Sequence, residues 1–286
     1  MSGRRWGLVW VAAGASLWGT DTLLRRPLTA TLGSTQIVWL EHLILTLVLA
    51  PVLWRAWPEW KRLGAREWAA VAGIAWGGSA LGTVLFTEAI RVGNPTTAVL
   101  LQKTQPLFTA LLARVVLGER LGQRYWGCLG VALAAGYLVS FGWAVARPEG
   151  LLPAGLAVAA AALWGSCTVL GRFCLRSVSF PTLTALRIVA AAPVLTILGG
   201  GRVEAGWREA GLLTAMALVP GLAALLVYYY GLRHTRASLA ALGELSFPAT
   251  ATLLNWTFLG ARISAGQAAG FALLWGVILY LERRGR

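Results

Sequence analysis

Long apolar stretches recur along the whole chain, separated by short polar turns. Ten of them approach the ~20 residues that a helix needs to cross a bilayer. They lie at about 7–24, 35–54, 67–90, 96–117, 124–144, 151–172, 180–199, 208–232, 238–259 and 265–282. None shows the short alternating pattern of a membrane barrel. The pattern therefore predicts an all-α, polytopic membrane protein with ten transmembrane helices. The turns are too short to hold a soluble domain. Arg4 and Arg5 precede the first apolar run as in a signal peptide, but no clean cleavage site follows, so the run is expected to stay as the first span.

The stretches fall into two related sets. Asn94-Pro-Thr-Thr-Ala-Val-Leu-Leu-Gln-Lys-Thr-Gln-Pro106 returns as Arg236-Ala-Ser-Leu-Ala-Ala-Leu-Gly-Glu-Leu-Ser-Phe-Pro248, a shift of 142 from 248 − 106. Arg91 maps onto Arg233, Ala98 onto Ala240, Gln102 onto Glu244 and Gly118 onto Gly260. Ser16-Leu-Trp-Gly-Thr20 matches Ala162-Leu-Trp-Gly-Ser166 at a shift of 146, which also aligns Glu41 with Arg187. Residues 1–146 and 147–286 thus form two five-helix repeats. Five is odd, so the second repeat runs through the membrane in the opposite sense. Inverted repeats of this kind place a substrate site between the halves.

Composition agrees. Hydrophobic residues make up 57% of the chain and charged residues only 13%, about half the share usual in soluble domains. The net charge of +14 sits in short loops and does not point to nucleic acid. With the N-terminus inside, sixteen of the 25 lysines and arginines fall on the cytoplasmic side. Seven fall opposite (Arg25, Arg26, Arg91, Arg147, Arg202, Arg208, Arg262), and Lys103 and Arg187 lie within spans. The bias predicts both termini in the cytoplasm and a bacterial inner membrane. Cys128, Cys167 and Cys174 show neither disulfide nor metal spacing and read as small apolar residues. No cofactor is implied.

Charge inside a membrane is costly and usually faces a cavity or a partner. Asp21, Glu41, Glu88, Lys103, Arg187 and Glu244 are the candidates. Their depths suggest an outer cluster of Glu41, Glu88 and Lys103 and an inner pair of Arg187 and Glu244. These sets read either as gates that break and reform or as static neutralising pairs. Gln102, Gln105 and Thr109 share one helix face, as do Glu244, Ala251 and Asn255. Both stripes suit a central path or interhelical hydrogen bonds. Pro106 and Pro248 are expected to kink their helices. Trp18 and Trp164 fall mid-span and offer either aromatic walls or core packing. Tyr228, Tyr229 and Tyr230 cover most of a turn of the eighth span, and at least one is expected to face the interior, Tyr230 being the repeat equivalent of Glu88. The glycines Gly73, Gly77, Gly78 and Gly82 suggest close packing of the third span. His42 suits proton coupling or a neutral hydrogen-bonded role.

The block Ala89-Ile-Arg-Val-Gly-Asn-Pro-Thr-Thr-Ala98 with Leu117-Gly-Glu-Arg-Leu121, its second copy Gly231-Leu-Arg-His-Thr-Arg-Ala-Ser-Leu-Ala240, and Leu-Trp-Gly in spans one and six resemble the drug/metabolite transporter superfamily, specifically its EamA-like ten-helix exporters. The second copy has Ala261 where the family's acidic residue stands as Glu119, and Glu41 stands where the family often has arginine. The resemblance implies a secondary or facilitative transporter, an exporter of amino acids or related metabolites by alternating access. Its partners would be a small solute and the lipid bilayer. Anionic metabolites held by Lys103 and Arg187 are the alternative solute class. A membrane-embedded enzyme or an assembly subunit is the alternative outside transport. No GxxxxGK loop occurs, so ATP hydrolysis is not expected.

Overall fold

The computed structural model describes residues 6–145, 150–199, 205–259 and 263–284. They are helical throughout, without strands. The helices are α1 (Gly7–Trp18), α2 (Asp21–Leu28), α3 (Ser34–Arg55), α4 (Trp57–Trp60) and α5 (Ala65–Val92). Then come α6 (Pro95–Gln102), α7 (Gln105–Val116), α8 (Gln123–Phe141), α9 (Leu151–Cys174) and α10 (Phe180–Gly199). Last are α11 (Trp207–His234), α12 (Ala237–Gly243), α13 (Ser246–Leu259) and α14 (Ala265–Arg284). Among the described residues six helical stretches are long and apolar enough to cross a membrane: α3, α5, α9, α10, α11 and the run Ala237–Leu254. α8 and α14 are of similar length, 19 and 20 residues, and the other helices are shorter pieces, several of them joined end to end.

The first predicted span differs from expectation. It breaks at Gly19–Thr20, and α2 continues helically through Arg25 and Arg26, which the charge count had placed in a loop. Asp21 and Arg25 are four residues apart on α2 and form an ion pair at 2.7 Å. That pair and the burial of Leu28 carry the helix past its apolar end.

Pro106 and Pro248 also act differently. Each lies in the first turn of a new helix, α7 or α13, after a full break. Proline fits there because first-turn N–H groups have no intrahelical partner. The chain stops at Lys103–Thr104, held by tight turns from Lys103 N–H to Leu100 O and Thr104 N–H to Leu101 O. The second break, at Glu244–Leu245, is held by Leu245 N–H to Leu242 O. Irregular backbone at such a depth is tolerated only where protein or a cavity receives its polar groups.

Two wide π-helical segments interrupt α5 (Gly73–Gly82) and α11 (Ala217–Ala223). Pro220 explains the second, since it removes a donor inside a helix. The first lies among four glycines and packs on α9 against Leu163, Trp164, Cys167 and Leu170. Such segments occur mostly at functional sites.

The packing pattern is symmetric between the halves. α1 lies against α11, α12 and α13, whereas α9 lies against α5, α6 and α7. α3 packs along α10, and α8 along α14. Exchanging the first five apolar stretches for the second five maps each of these contacts onto another or onto itself. The Trp-Gly motifs explain two of them. A side chain on Gly165 would begin 2.9 Å from the Gln105 carbonyl and 3.1 Å from the Thr109 nitrogen. One on Gly19 would begin 2.9 Å from the Phe247 carbonyl and 2.6 Å from the Thr250 side chain. Glycine therefore lets α9 and the end of α1 lean directly on the broken helices. We expect Gly165→Ala to push α9 off α7 and destabilise by about 1–3 kcal/mol. Thermal unfolding in detergent checks this; an unchanged midpoint would refute the close-approach account.

One end of the bundle is interlocked by polar contacts. Glu119 accepts from the N–H groups of Ala237 and Ser238 at the start of α12. Arg172 donates to the Thr235 carbonyl at 2.7 Å. Glu59 on α4 accepts from Ser179 N–H at 2.7 Å and Thr182 Oγ at 2.9 Å at the start of α10. Burial works to raise the Glu59 pKa, but those donors outweigh it and hold it below the ordinary 4.5. A lowered folded-state pKa stabilises above the unfolded value and is lost as pH falls through the folded one. Glu59→Gln should therefore lower stability near neutrality and flatten its loss below pH 4.5, so that variant and wild type converge in acid. Melting curves from pH 3 to 7 test this; an unaltered acid limb would remove Glu59 from the interlock. Ala261, the counterpart of Glu119, lies outside the described residues.

Candidate functional site

A cavity of about 160 Å³ opens where the two helix breaks, the two π segments and α3 and α10 meet. Of the residues singled out from the sequence, Trp18, Glu41, His42, Gln102, Gln105, Trp164, Arg187 and Glu244 line it. Glu88, Lys103, Tyr230, Pro106 and Pro248 do not. The side chain of Asn255 lies outside the described residues, as does that of Ala251.

Its walls carry two aromatic pairs. Trp18 packs on Tyr228 with ring centroids 4.8 Å apart, and Trp164 packs on Phe86 at 5.1 Å. The pairs correspond under the repeat shifts: 18 + 146 is 164, and 86 + 142 is 228. Phe247 adds a further ring. The Trp164 indole donates to the Gly78 carbonyl at 2.9 Å, and the Thr83 hydroxyl to the same oxygen at 3.1 Å. A carbonyl of the π segment thus fixes the orientation of Trp164.

Glu244 sits at the second break, 7% exposed. It accepts from Tyr228 Oη at 2.5 Å, Thr168 Oγ1 at 3.0 Å and Gln105 Nε2. Gln102 Nε2 donates to Gln105 Oε1 at 2.9 Å, and Lys103 Nζ donates to Gln102 Oε1 at 3.0 Å. The order Lys103, Gln102, Gln105, Glu244 is a run of donors leading from a buried cation to a buried anion. Each amide polarises the next. Lys103 also stands 4.0 Å over the Phe247 ring, a cation–π contact. Lys103 and Glu244 were expected at different depths with separate partners; the breaks bring them to one level, linked by two amides.

The expected outer cluster is absent among the described residues. Glu41 pairs with Arg25 at 3.2 Å, and Arg25 also holds Asp21 and donates to Thr87 Oγ1 at 3.1 Å. Glu88 pairs with Arg91 and accepts from Ser34 at 2.8 Å, away from the cavity. Lys103 joins neither. The expected Arg187–Glu244 pair is also absent: Arg187 Nε donates to Ser79 Oγ at 2.7 Å and Nη1 to Tyr229 Oη at 2.9 Å. Ser79 belongs to the π segment, whose wider turn carries it toward α10.

Tyr230 turns the other way, against Trp10, Phe180 and His234. Successive helical residues differ by about 100°, so Tyr228 and Tyr229 take the cavity side. Thr109 donates to the Gly165 carbonyl at 3.2 Å and serves packing. His42 lines the cavity with Nδ1 bound to the Val38 carbonyl at 2.8 Å.

Arg25, Thr168, Phe86 and Ser79 were not singled out from the sequence as site residues, and Tyr228 only as one of three tyrosines of which at least one should face inward. Two signals pointed to some of them. Arg25 follows Asp21 by four positions, and Phe86 and Tyr228 are aromatic at equivalent repeat positions.

Helices broken around an aromatic and charged cavity inside an apolar bundle suit a membrane transporter. The chain belongs to the EamA-like transporter family, whose description fits it twice, over residues 5–141 and 151–281. It is 32% identical over 287 residues to the riboflavin transporter ImpX of Fusobacterium nucleatum subsp. nucleatum, covering 94% of each chain. It is 29% identical over 198 residues to a riboflavin transporter of Rhizobium johnstonii, covering 65% of this chain and 61% of that one. A solved crystal structure superposes with a TM-score of 0.77 at 23% identity, over 97% of this chain and 98% of the other, a likeness of fold.

Proposed function

We propose that this transporter carries a neutral, planar heteroaromatic solute of the flavin type, riboflavin among them, by alternating access between two inverted five-helix repeats, 1–146 and 147–286. The observation that carries the solute class is the pair of repeat-related aromatic contacts flanking a cavity whose formal charges cancel. Arg25, Lys103 and Arg187 stand against Asp21, Glu41 and Glu244 in and beside it. Flat aromatic side chains stack on fused rings. Amides and hydroxyls then suit ring carbonyls and a polyol chain. Both curated relatives bear riboflavin in their names. The alternative anionic solute loses support, because Lys103 is buried behind the wall under Phe247.

Several observations support the ten-span inverted repeat. The boundaries of α5 and α11 recur at a spacing of 142, since 207 − 65 and 234 − 92 are both 142, and the two breaks recur at 141, from 244 − 103; each of α5 and α11 also carries a π segment in its middle. The two family matches divide at residues 141 and 151. Placement in the bacterial inner membrane with both termini cytoplasmic follows from the loop charges, and reporter fusions to the C-terminus test it.

The direct test is flux of labelled riboflavin into proteoliposomes, beside a panel of amino acids and organic acids. Saturable riboflavin flux, competed by other flavins, is expected. Absence of flavin flux from folded protein that carries an amino acid would sink the proposal.

A further inference from the structure

His42 is 3% exposed and lines the cavity. Its Nδ1 lies 2.8 Å from the Val38 carbonyl. A carbonyl only accepts, so Nδ1 carries the ring proton and Nε2 of the neutral ring is a bare acceptor. Nε2 is buried and has no partner among the described residues. Buried polar atoms are nearly always satisfied, and one that is not calls for an explanation.

Arg187 is the complement. It lines the same cavity from α10, which packs along α3 where His42 sits. Nε and Nη1 are spent on the hydroxyls of Ser79 and Tyr229. No carboxylate reaches it among the described residues. Its remaining donors, on Nη2, have no described protein acceptor. The neighbouring carboxylates are committed elsewhere: Glu41 to Arg25, and Glu244 to Tyr228, Thr168 and Gln105. One wall therefore offers an unused acceptor and an unused charged donor together.

We propose that His42 Nε2 and Arg187 Nη2 recognise a cyclic amide or imide edge, –CO–NH–, of the solute. His42 accepts the ring N–H and Arg187 donates to the adjacent carbonyl. In a flavin this edge is the pyrimidine-dione end of the ring system, carrying N3–H between two carbonyls. The inference rests on the flavin reading of the cavity. It assigns His42 to solute recognition as a neutral ring, and not to proton coupling, the other role that its position in the sequence suits. A site built to hydrogen-bond a donor strongly rejects the analogue that lacks it, because its own acceptor is left unpaired.

The test uses the full chain in nanodiscs and reads quenching of flavin fluorescence. Riboflavin is compared with riboflavin methylated at N3, which keeps both carbonyls and lacks the N–H. Wild type should bind the methylated form about tenfold more weakly, one hydrogen bond's worth of discrimination. His42→Leu should weaken riboflavin by about the same factor and erase the discrimination. His42→Gln, whose amide oxygen accepts, should restore part of it and also controls for folding. Arg187→Gln should weaken both flavins alike. Equal binding of the two flavins by wild type, or equal weakening of both by His42→Leu, would overturn this assignment while leaving the flavin reading standing. Failure of wild type to bind either flavin would overturn both.

Discussion

Glu244→Leu is expected to abolish transport and to destabilise the folded protein by about 3–5 kcal/mol, the usual cost of removing one member of a buried charged set. Three donors lose their acceptor together: Tyr228 Oη, Thr168 Oγ1 and Gln105 Nε2. At the far end of the amide run, Lys103, buried at 5% exposure, loses the carboxylate it faces. The damage falls where α12 and α13 meet, so it also releases the break that shapes the cavity. Thermal unfolding in detergent and riboflavin flux measure the two effects. The double variant Lys103→Met with Glu244→Leu should recover much of the stability, since no isolated charge remains, but not the flux. If Glu244→Leu melts like wild type, the amide run does not couple these charges. Glu244→Gln is the milder probe. It keeps the shape but turns one end of the acceptor into a donor, and should fall between leucine and wild type.

The second large effect is expected at Arg25, which is 3% exposed. Its guanidinium spans Asp21 at 2.7 Å through two bonds, Glu41 at 3.2 Å and Thr87 at 3.1 Å. Arg25→Ala leaves two carboxylates facing one another in the cavity wall without a cation. A loss of about 3–5 kcal/mol is expected, with transport falling alongside. Arg25→Lys keeps the charge but lacks the planar fork that holds several acceptors at once, so it should rescue only in part. Removing all three charges, with Arg25→Gln, Asp21→Asn and Glu41→Gln, should restore most of the melting temperature. Failure of that triple variant to recover would show that Arg25 stabilises through packing of its stem instead of through its charge.

The membrane class, the helical content and the transporter family were legible in the apolar runs and in the Asn94–Pro106 block. The cavity was partly legible. Trp18, Trp164, Gln102, Gln105, Glu41, His42, Arg187 and Glu244 were named from the chain, and all eight line it. Their partners were not. Depth counted along straight helices placed Lys103 far from Glu244 and put Glu88 in an outer cluster with Glu41 and Lys103. The helices are broken, and one turn of difference in depth or 100° in rotation changes which groups meet. Tyr230 failed by rotation: it adjoins Tyr229, whose hydroxyl oxygen accepts from Arg187 Nη1. Arg25 failed because a hydropathy boundary was read as a helix boundary, whereas Asp21 carries α2 onward.

By itself the sequence determined what is local or additive along the chain. Hydropathy decided burial in lipid, and Pro106 and Pro248 marked where the long apolar runs are interrupted. The tertiary structure alone decided which charge meets which, that the glycine-rich third stretch opens into a π segment presenting Ser79, and that His42 keeps a free nitrogen. These depend on the approach of helices distant in sequence. In a low-dielectric interior a buried charge or acceptor must be satisfied by whatever polar group that approach brings within about 3 Å, and spacing along one helix does not specify its neighbour.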